Sequence, residues 1–483
     1  MNLLSLRLCV HDSNISYFDG SEIHYIKTER LKNIKHHALD NLWEWKKIIY
    51  DLWNLKENDL DDISIIFDPW RYGLEFNKNN FFPIKDCKIL NATQVNHHYA
   101  HALSNDLYFG DFKNHVVIDG FGDWSDAASI ISNHKLIDVI NKDIHGSIGL
   151  EYSMVGSNIF GLKAHPNDFA GKVMCLQAYG RFDPILYKEF KNLTIKNINV
   201  LCNFSNYIKY KGSEKLAELT RLDWWNTIHK KLGEIILDYI LNFFKKDDYI
   251  SYSGGVCHNI IWNTFLKNNL PNINISAHCD DEGLSLGGLK FLLNKNKISN
   301  FKLNYFQSDE APNTRIEEER LQKIARLLSE GKIIALYDGH GEVGPRALGH
   351  RSLLISPFIK NAKDKINKIK KRESFRPFGG VVLNEDRNKY SDLSWENSQM
   401  LYNSKIFNVK ELEHADSTCR IQTVKNGNLY KILKYFKELT GESILLNTSL
   451  NISGYPIISN LQNLKKFKEQ NKEVITFYGN QEI

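Results

Sequence analysis

Short apolar runs alternate along this chain with longer amphipathic stretches. The short runs predict strands and the longer stretches predict helices. Their alternation is typical of an α/β protein, so we expect that fold class. The predicted strands lie at 3–10, 63–67, 115–118 and 332–337, and the predicted helices at 39–54, 214–246 and 316–330.

Two similar units open the chain, and each consists of a strand, a polar loop with an aspartate, and a hairpin. The first unit spans 3–27 and has its turn at Asp19-Gly20, whereas the second spans 115–140 and has its turn at Ser132-Asn133-His134. Two such halves that face each other around a nucleotide form the actin and sugar-kinase architecture, which this pattern resembles.

The length of the chain predicts more than one domain. A chain of 483 residues is too long for a single core. Residues 295–316 are polar and rich in turn-forming residues, so we expect a linker around 303–315. We therefore divide the chain into a first domain, 1–305, and a second domain, 306–483.

Charge, cysteine usage and hydropathy exclude several classes of protein. The net charge of +5, from 62 basic and 57 acidic residues, is too small and too dispersed to indicate a nucleic-acid partner. The seven cysteines form no C-x-x-C pair, so neither a disulfide framework nor a thiolate zinc site is expected. The apolar start is broken by Arg7 and followed by His11-Asp12, which favours a strand over a signal peptide. Because no run reaches the ~20 apolar residues of a membrane span, we expect no span and a cytoplasmic protein.

A metal site is predicted from two histidines and two aspartates. On a helix, His97 and His101 lie four positions apart on one face, so both rings can reach one cation. Such a pair alone more often binds no metal. Asp119 ends a predicted buried strand, and Asp281 precedes a helix rich in small residues. Two histidines and two aspartates together form a mixed N/O site that suits Fe, Mn or Zn.

Glycines mark a candidate phosphate site. Ser253-Gly254-Gly255-Val256 lies between a predicted strand and a predicted helix, where backbone N–H groups can hold phosphate. Because glycine is costly inside helices, we also expect the glycines of 146–180 to lie where the backbone approaches a ligand.

The second domain carries a predicted anion pocket. Its arginines and lysines are interrupted by Gly, Pro and Phe, which is not the pattern of a solvated helix face. Arginine holds phosphate through two parallel hydrogen bonds, and lysine adds a point charge. A surface ion pair or a capped loop would explain any one of these segments, but not all of them together. The basic residues are Arg346, Arg351, Lys371, Arg372, Arg376 and Arg420, and the small polar residues that follow are Asn447, Thr448, Ser449 and Asn451.

Together these segments resemble the O-carbamoyltransferase family, which includes antibiotic-tailoring and nodulation-factor enzymes. The resemblance extends from residue 11 to about 458. Its most specific segments are Gly344-Pro-Arg-Ala-Leu-Gly and Asn447-Thr-Ser-Leu-Asn451. It implies an actin-like, two-lobed Kae1-like domain over 1–305, followed by an α+β YrdC-like domain over 306–483.

The resemblance implies an ATP-dependent enzyme with two chemical steps. The second domain would form carbamoyl adenylate from carbamoyl phosphate and ATP, and the first would transfer the carbamoyl group to a hydroxyl of a small molecule or sugar. By position, His97, His101, Asp119 and Asp281 match the metal ligands, with iron as the first choice. The basic and small polar residues named above would bind carbamoyl phosphate and ATP. The nucleotide in the first domain would contact Gly120, Gly122, Asp123, Gly171, Lys172, Gly254, Gly255, Val256 and Asn259.

Other roles and partners complete this hypothesis. His11, with Asp12 to orient its ring, is the candidate base for the acceptor hydroxyl, and a histidine that caps the loop is the alternative. Mg would accompany ATP, and a homodimer is compatible with the sequence. Two other functions stay open: an actin-fold phosphotransferase and a non-catalytic, metal-binding assembly partner.

Overall fold

The structure, a computed structural model, describes residues 1–8, 11–41, 43–67, 86–87, 91–123, 126–141, 146–200, 204 and 218–483. The chain forms two compact units. The first unit consists of residues 1–2, 8–61 and 300–483, and the second consists of residues 3–7 and 62–299. The end of the strand predicted at 3–10 and the start of the helix predicted at 214–246 lie partly outside the described residues.

The strands and helices follow one another along the whole chain. The strands are β1 (Leu3–Arg7), β2 (Asn14–Phe18), β3 (Glu22–Lys27), β4 (Asp62–Ile66), β5 (Asp86–Cys87), β6 (Ala92–Gln94), β7 (Asn114–Ile118), β8 (Asp126–Ser132), β9 (Lys135–Asn141), β10 (Ile250–Ser253), β11 (Ile273–Asn274), β12 (Lys302–Leu303), β13 (Ile333–Tyr337), β14 (Arg351–Ile355), β15 (Gly379–Leu383), β16 (Asn403–Lys405), β17 (Thr418–Val424), β18 (Ile444–Ser449), β19 (Val474–Tyr478) and β20 (Gln481–Glu482). The helices are α1 (Thr28–Lys32), α2 (Glu44–Trp53), α3 (His97–Phe109), α4 (Ile148–Asn158), α5 (Pro166–Leu176), α6 (Pro184–Glu189), α7 (Glu218–Leu241), α8 (Ile260–Asn269), α9 (Leu284–Lys295), α10 (Glu318–Ser329), α11 (Ala362–Lys370), α12 (Arg387–Tyr390), α13 (Gly427–Thr440) and α14 (Leu461–Gln470). The predicted α/β class is confirmed.

The second unit is built on parallel strand pairs. Strand β1 pairs in parallel with β4, and β4 pairs in parallel with β6. A separate sheet has the order β11-β10-β7-β8-β9, in which β7 pairs in parallel with β10 and forms an antiparallel meander with β8 and β9. Helices α3 and α9 pack closely, because Gly287 of α9 lies against the Ala100 carbonyl of α3.

The repeated pattern predicted at the start of the chain is present. Hairpin β2–β3 follows β1 in the sequence, and hairpin β8–β9 follows β7. Both turns lie at the predicted residues, since Phe18 pairs with Ile23 and Ser132 pairs with Lys135. The parallel partners β4 and β10 complete the correspondence. This repeat agrees with the actin-like arrangement expected from the pattern.

The first unit contains an eight-stranded mixed sheet with the order β16-β17-β15-β18-β14-β13-β19-β20. Apolar residues cover both of its faces, so both faces are buried. Helices α11 and α14 cover one face and contribute Ile366 and Phe467 to its core. Helices α10 and α13 cover the other face and contribute Leu328 and Phe436.

Some sequence predictions need correction. The helix predicted at 39–54 begins only at Glu44. The expectation that the glycines of 146–180 lie against a ligand is wrong for Gly149 and Gly156, which lie inside α4. A Cβ at Gly149 would lie 2.8 Å from the Asp119 carbonyl oxygen, and one at Gly156 would lie 2.9 Å from the Phe169 side chain. These two glycines therefore permit close packing within the protein.

The predicted linker at 303–315 carries buried polar groups. Gln307 and Asp309 are buried, and the side-chain amide of Gln307 donates to the Glu342 carbonyl. No helix in the described part of the chain is long and apolar enough to cross a membrane.

Candidate functional site

The four predicted metal ligands converge in the second unit. His97 and His101 lie on α3, Asp119 follows β7, and Asp281 begins a short 3-10 turn that leads into α9. The start of α3 is fixed by two caps: the Asn96 side chain accepts from the Tyr99 N–H, and Asp123 accepts from the His97 N–H at 3.0 Å. The ligands thus lie in the first two turns of α3, directly after β7 and just before α9.

The distances between these groups match those expected around one cation. His97 Nε2 lies 3.2 Å from one oxygen of Asp119 and 3.2 Å from one oxygen of Asp281. His101 Nε2 lies 3.7 and 3.5 Å from the same two oxygens, and 3.1 Å from His97 Nε2. Ligands about 2.1 Å from a tetrahedral ion stand about 3.4 Å apart. The four side chains are buried, and the donor set of two imidazoles and two carboxylates suits Fe, Mn or Zn.

The protonation states of the four groups depend on one another. Burial disfavours the charged ring of His97, but the Asp281 charge and hydrogen bonds with both carboxylates outweigh burial and raise its pKa to about 10. The same balance raises the pKa of His101. Burial also opposes ionisation of Asp119 and Asp281, but the facing imidazoles hold the pKa of both carboxyls well below the usual range. The cluster therefore keeps two carboxylates charged inside the protein.

Two further groups position the carboxylates. The Gly255 N–H donates to Asp119 Oδ1 at 2.7 Å, and Arg7 Nη2 donates to Asp281 Oδ2 at 3.0 Å. The turn that presents Gly255 depends on Gly254, whose φ is +98° and whose Cβ would lie 2.2 Å from the Ile118 carbonyl oxygen. Each carboxylate therefore directs its other oxygen toward the histidines.

Several of the predicted nucleotide-binding residues hold protein groups in the structure. Asp123 caps α3, and the Gly255 N–H is bonded to Asp119. Asn259 caps α8 through Oδ1, while its Nδ2 contacts the Tyr152 hydroxyl and His229 Nε2. Gly122 packs against the His98 ring. Their nucleotide role stays a prediction.

The other predicted nucleotide residues lie in three different places. Gly120 packs against the Leu150 side chain, and Val256 is buried in the turn after β10. Within α5, Lys172 is buried, whereas a Cβ at Gly171 would meet no atom within 4 Å.

In the first unit, His11 and Asp12 belong to a larger cluster of charged groups. His11 Nδ1 lies 2.9 Å from Asp12 Oδ2, and the His36 ring lies 3.2 Å from the same carboxylate. The Lys27 ammonium lies 3.2 Å from both Asp12 and Glu29. Burial opposes ionisation of Asp12, but the Lys27 charge and hydrogen bonds with both histidines hold its pKa well below the usual range. The His11 side chain is 41% exposed, whereas the Asp12 side chain is buried. His11 can therefore contact a ligand while Asp12 orients its ring.

A chain of ionic contacts continues from this cluster to the loop that carries Arg346. Arg30 Nε lies 3.7 Å from Glu29, and Arg30 Nη2 donates to the Gly344 carbonyl at 3.3 Å. The Arg30 carbonyl in turn accepts from the Ser459 hydroxyl. Arg30 is 1% exposed. The N-terminal segment of this unit thus helps to fix the 344–349 loop.

Lys370, not the neighbouring Lys371, is the buried lysine of the predicted anion pocket. Lys370 Nζ donates to the Ser449 carbonyl at 2.5 Å, to the Ser449 hydroxyl at 3.0 Å and to Asn451 Oδ1. Burial and the charges of Arg372, Arg376 and Lys35 lower the pKa of Lys370 well below its usual value. Lys371 follows α11 with a φ of +49°, and its side chain is exposed. Converging cations of this kind favour an anionic ligand.

The predicted arginines differ in their surroundings. Arg351 is buried in an ion pair with Asp309 at 3.0 Å and stacks on the Tyr337 ring at 3.4 Å. Arg372 stacks on Phe378 at 3.7 Å and donates to the Pro377 carbonyl. Arg376 lies 3.6 Å from Glu373. The structure therefore gives Arg351 and Arg372 extensive contacts within the protein.

Arg346 and Arg420 are half-buried near Asn447. Asn447 Nδ2 donates to the Ala347 carbonyl at 3.0 Å and to Gln422 Oε1 at 3.1 Å. Arg420 pairs with Gly379 in the sheet, and Gly379 pairs with Asn447. Thr448 pairs with Leu353 on the next strand.

Sequence reasoning did not identify several residues that organise these sites. Glu342 is buried, and one of its oxygens accepts the backbone N–H groups of Leu348, His350 and Arg351, which shapes the loop around Arg346. In the sequence, this role of Glu342 could be inferred only from its position four residues before Arg346. Lys370 and Arg30 were also not assigned, because their partners Ser449 and Gly344 are distant in the sequence. Lys27 and Glu29 were not assigned either, although they are close in the sequence.

Two family models match the chain. One is described as Carbamoyltransferase N-terminus and matches residues 72–288; the other is described as Carbamoyltransferase C-terminus and matches residues 325–479. An uncharacterized protein of Methanocaldococcus jannaschii is 28% identical over 95% of both chains.

Two relatives with named roles are also similar. The nodulation protein NolNO of Sinorhizobium fredii is 30% identical over 76% of this chain and 60% of its own length. The 3'-hydroxymethylcephem-O-carbamoyltransferase of Streptomyces clavuligerus is 35% identical over 30% of this chain and 29% of its own. Among solved structures, full-length HypF with phosphate and nucleotide bound matches 62% of this chain and 47% of its own, with 12% identity and a TM-score of 0.37.

Proposed function

Because the chain belongs to the carbamoyltransferase family, we propose that it makes carbamoyl adenylate from carbamoyl phosphate and ATP and then transfers the carbamoyl group to a hydroxyl. The observation that carries this proposal is the environment of Lys370. Burial and the positive charges of Arg372, Arg376 and Lys35 lower the pKa of Lys370, so a bound anion would offset this repulsion and favour the charged ammonium. Carbamoyl phosphate and ATP both supply such charge.

The first reaction takes place in residues 306–483 in this proposal. Water converts carbamoyl phosphate to carbamate and phosphate. A carbamate oxygen then attacks the α-phosphorus of ATP, and pyrophosphate leaves with the electrons of the broken P–O bond. Lys370 neutralises charge on the transferred group, while Arg346, Arg376 and Arg420 hold phosphate oxygens and Mg accompanies ATP. Arg351 and Arg372 support this pocket through their stacking and hydrogen bonds.

The second reaction transfers the carbamoyl group. The acceptor oxygen attacks the carbonyl carbon of the adenylate, and AMP leaves. His11 takes the proton of the hydroxyl, because Asp12 lies 2.9 Å from its Nδ1 and orients the ring, and the His11 side chain is 41% exposed. A divalent cation held by His97, His101, Asp119 and Asp281 would stabilise negative charge on the leaving phosphate. We propose iron as this cation, and a hydroxyl-bearing small molecule or sugar as the acceptor.

Pyrophosphate release from the full-length protein tests the first reaction. The wild type should release pyrophosphate from ATP and Mg only when carbamoyl phosphate is present. Lys370→Ala should slow this release about 100-fold or more, since it removes the group that holds Ser449 and Asn451 in the predicted pocket and contributes positive charge there. Lys371→Ala is the matched control, because its exposed side chain lies one residue away.

The outcomes separate this proposal from its alternatives. An actin-fold phosphotransferase would release ADP and no pyrophosphate, and a non-catalytic partner would bind neither substrate. If Lys371→Ala abolished the reaction while Lys370→Ala did not, the pocket would be organised around Lys371, as predicted from the sequence.

A further inference from the structure

The side-chain oxygen of Asn447 is a buried acceptor that lacks a donor among the residues the structure describes. Asn447 is 2% exposed, and its Oδ1 has no hydrogen-bond partner there. A buried polar atom without a partner is costly and calls for an explanation.

The orientation of this amide is fixed by its neighbours. Asn447 Nδ2 donates to the Ala347 carbonyl, a group that can only accept. It also donates to Gln422 Oε1, and the Gln422 amide nitrogen donates to the Leu348 carbonyl at 2.9 Å. Reversing the Asn447 amide would bring its oxygen against the Ala347 carbonyl oxygen. Oδ1 is therefore the atom that points away from both partners.

Asn447 lies between Arg346 and Arg420, two of the three arginines assigned to the phosphate groups. Arg346 immediately precedes the residue whose carbonyl Asn447 contacts. Arg420 lies two strands away in register, with Gly379 between them on the middle strand. Since residues paired in register point to the same face of a sheet, Arg420 and Asn447 flank a position that has no side chain. Arginine carries donors only, so neither arginine could satisfy a ligand that itself donates.

We propose that Asn447 Oδ1 accepts a hydrogen bond from the amino group of the carbamoyl donor and so selects carbamoyl phosphate over other acyl phosphates. This inference rests on the proposed function and assigns one residue to the choice of acyl group. Phosphate oxygens offer no donor to this acceptor, whereas the carbamoyl –NH2 does. Acetyl phosphate has a methyl group at the same position and would leave Oδ1 unpaired. Sites built around such a polar contact strongly reject analogues that lack it.

The test compares two acyl phosphates on the full-length enzyme. The apparent KM for carbamoyl phosphate is measured by pyrophosphate release at saturating ATP, and acetyl phosphate is used as a competitor. In the wild type, the inhibition constant of acetyl phosphate should exceed that KM about tenfold or more. Asn447→Leu, which keeps the shape of the side chain, should raise the KM for carbamoyl phosphate about tenfold and leave the acetyl phosphate constant nearly unchanged.

Gln422→Leu is the matched control. It removes the acceptor of Asn447 Nδ2 but keeps Asn447 Oδ1. If Asn447 only supported the 344–349 loop, Gln422→Leu and Asn447→Leu would therefore have the same effect. We expect Gln422→Leu to change both constants by the same factor and thus to preserve selectivity. Equal changes in Asn447→Leu would overturn the inference.

The wild-type measurement decides the question even if Asn447→Leu does not fold. Acetyl phosphate that binds as well as carbamoyl phosphate would overturn the inference and leave the proposed function intact. No carbamoyl phosphate-dependent pyrophosphate release would overturn both.

Discussion

In the second unit, the charged forms of His97, His101, Asp119 and Asp281 stabilise one another. Any one of these buried groups would be neutral without the others. Burial favours the neutral form of every one of them, yet the two carboxylates stay ionised and the pKa of His97 rises to about 10. Arg7 and the Gly255 N–H fix the outer oxygens of the carboxylates. Without a cation, protons on the histidines balance the charge. A divalent ion would replace those protons, because each imidazole must lose its extra proton before its nitrogen can bind the ion.

Removing one ligand should release the metal. His101→Ala deletes a buried nitrogen of the cluster, so the purified variant should contain less than about a tenth of the metal bound by the wild type. His134→Ala is the control, since His134 lies exposed in the turn between β8 and β9. Metal content is measured by native mass spectrometry, in which the metal stays bound to the protein. A variant that retained full metal content would remove His101 from the ligand set.

Metal binding should also release protons. With a pKa of about 10, His97 of the metal-free protein is protonated at pH 8, and the metal must displace this proton. Affinity should therefore rise with pH up to about 10 and fall as the pH drops. Titration calorimetry in buffers of different ionisation enthalpy measures the number of protons released at pH 8. A heat that did not depend on the buffer would contradict the protonated state of His97.

At the scale of elements, close helix packing brings the metal ligands together. Helix α3 carries both histidines, and α9 follows the turn that begins with Asp281. A Cβ at Gly287 of α9 would lie 1.9 Å from the Ala100 carbonyl oxygen of α3. Any side chain there must push the two helices apart.

Gly287→Ala should therefore weaken both folding and metal binding. Overpacking of this kind costs about 1–3 kcal/mol of the free energy of unfolding. Gly171→Ala is the same substitution in helix α5, where no atom lies within 4 Å, and it should stabilise the protein by up to about 1 kcal/mol. Thermal unfolding and metal analysis of both variants check this. Wild-type stability in Gly287→Ala would mean that the two helices can separate at no cost.

Local patterns in the sequence were sufficient for those parts of the site that depend on local geometry. The spacing of His97 and His101 fixes them on one helix face, and Asp119 follows a strand that its apolar run identifies. The choice between Lys370 and Lys371 could not be predicted, because only tertiary packing decides which of two adjacent side chains is buried. Arg351 presents the same problem. Its partner Asp309 lies 42 residues earlier, in a segment predicted as a linker.

At the scale of the whole molecule, residues distant in the sequence share the first unit. Residues 8–61 and 300–483 belong to it, although more than 200 residues separate them along the chain. The sequence predicted a boundary between residues 305 and 306, because the residues around it are polar and rich in turn-forming types. Composition contains no information about contacts between segments that are far apart in the sequence. That boundary stays a prediction.

Arg30→Met tests whether the N-terminal segment supports the chemistry of the C-terminal sheet. The change keeps much of the side-chain volume but leaves Glu29 without its guanidinium partner and the Gly344 carbonyl without its donor. Glu29 keeps its contact with Lys27, so the cost is that of a lost charge-assisted hydrogen bond, about 1.5–3 kcal/mol, and the unfolding temperature should fall. Pyrophosphate release should fall about tenfold, because Gly344 lies two residues before Arg346 and a phosphate contact depends on precise placement.

Metal content should stay at the wild-type level in Arg30→Met, since all four metal ligands belong to the other unit. His101→Ala should show the reverse pattern, with metal lost and pyrophosphate release retained. These paired results would assign adenylate formation and metal binding to different sets of residues. If Arg30→Met also lost its metal, or His101→Ala also lost pyrophosphate release, the two activities could not be independent. Loss of pyrophosphate release in His101→Ala would mean that the first reaction requires the metal centre, because that substitution removes only a metal ligand.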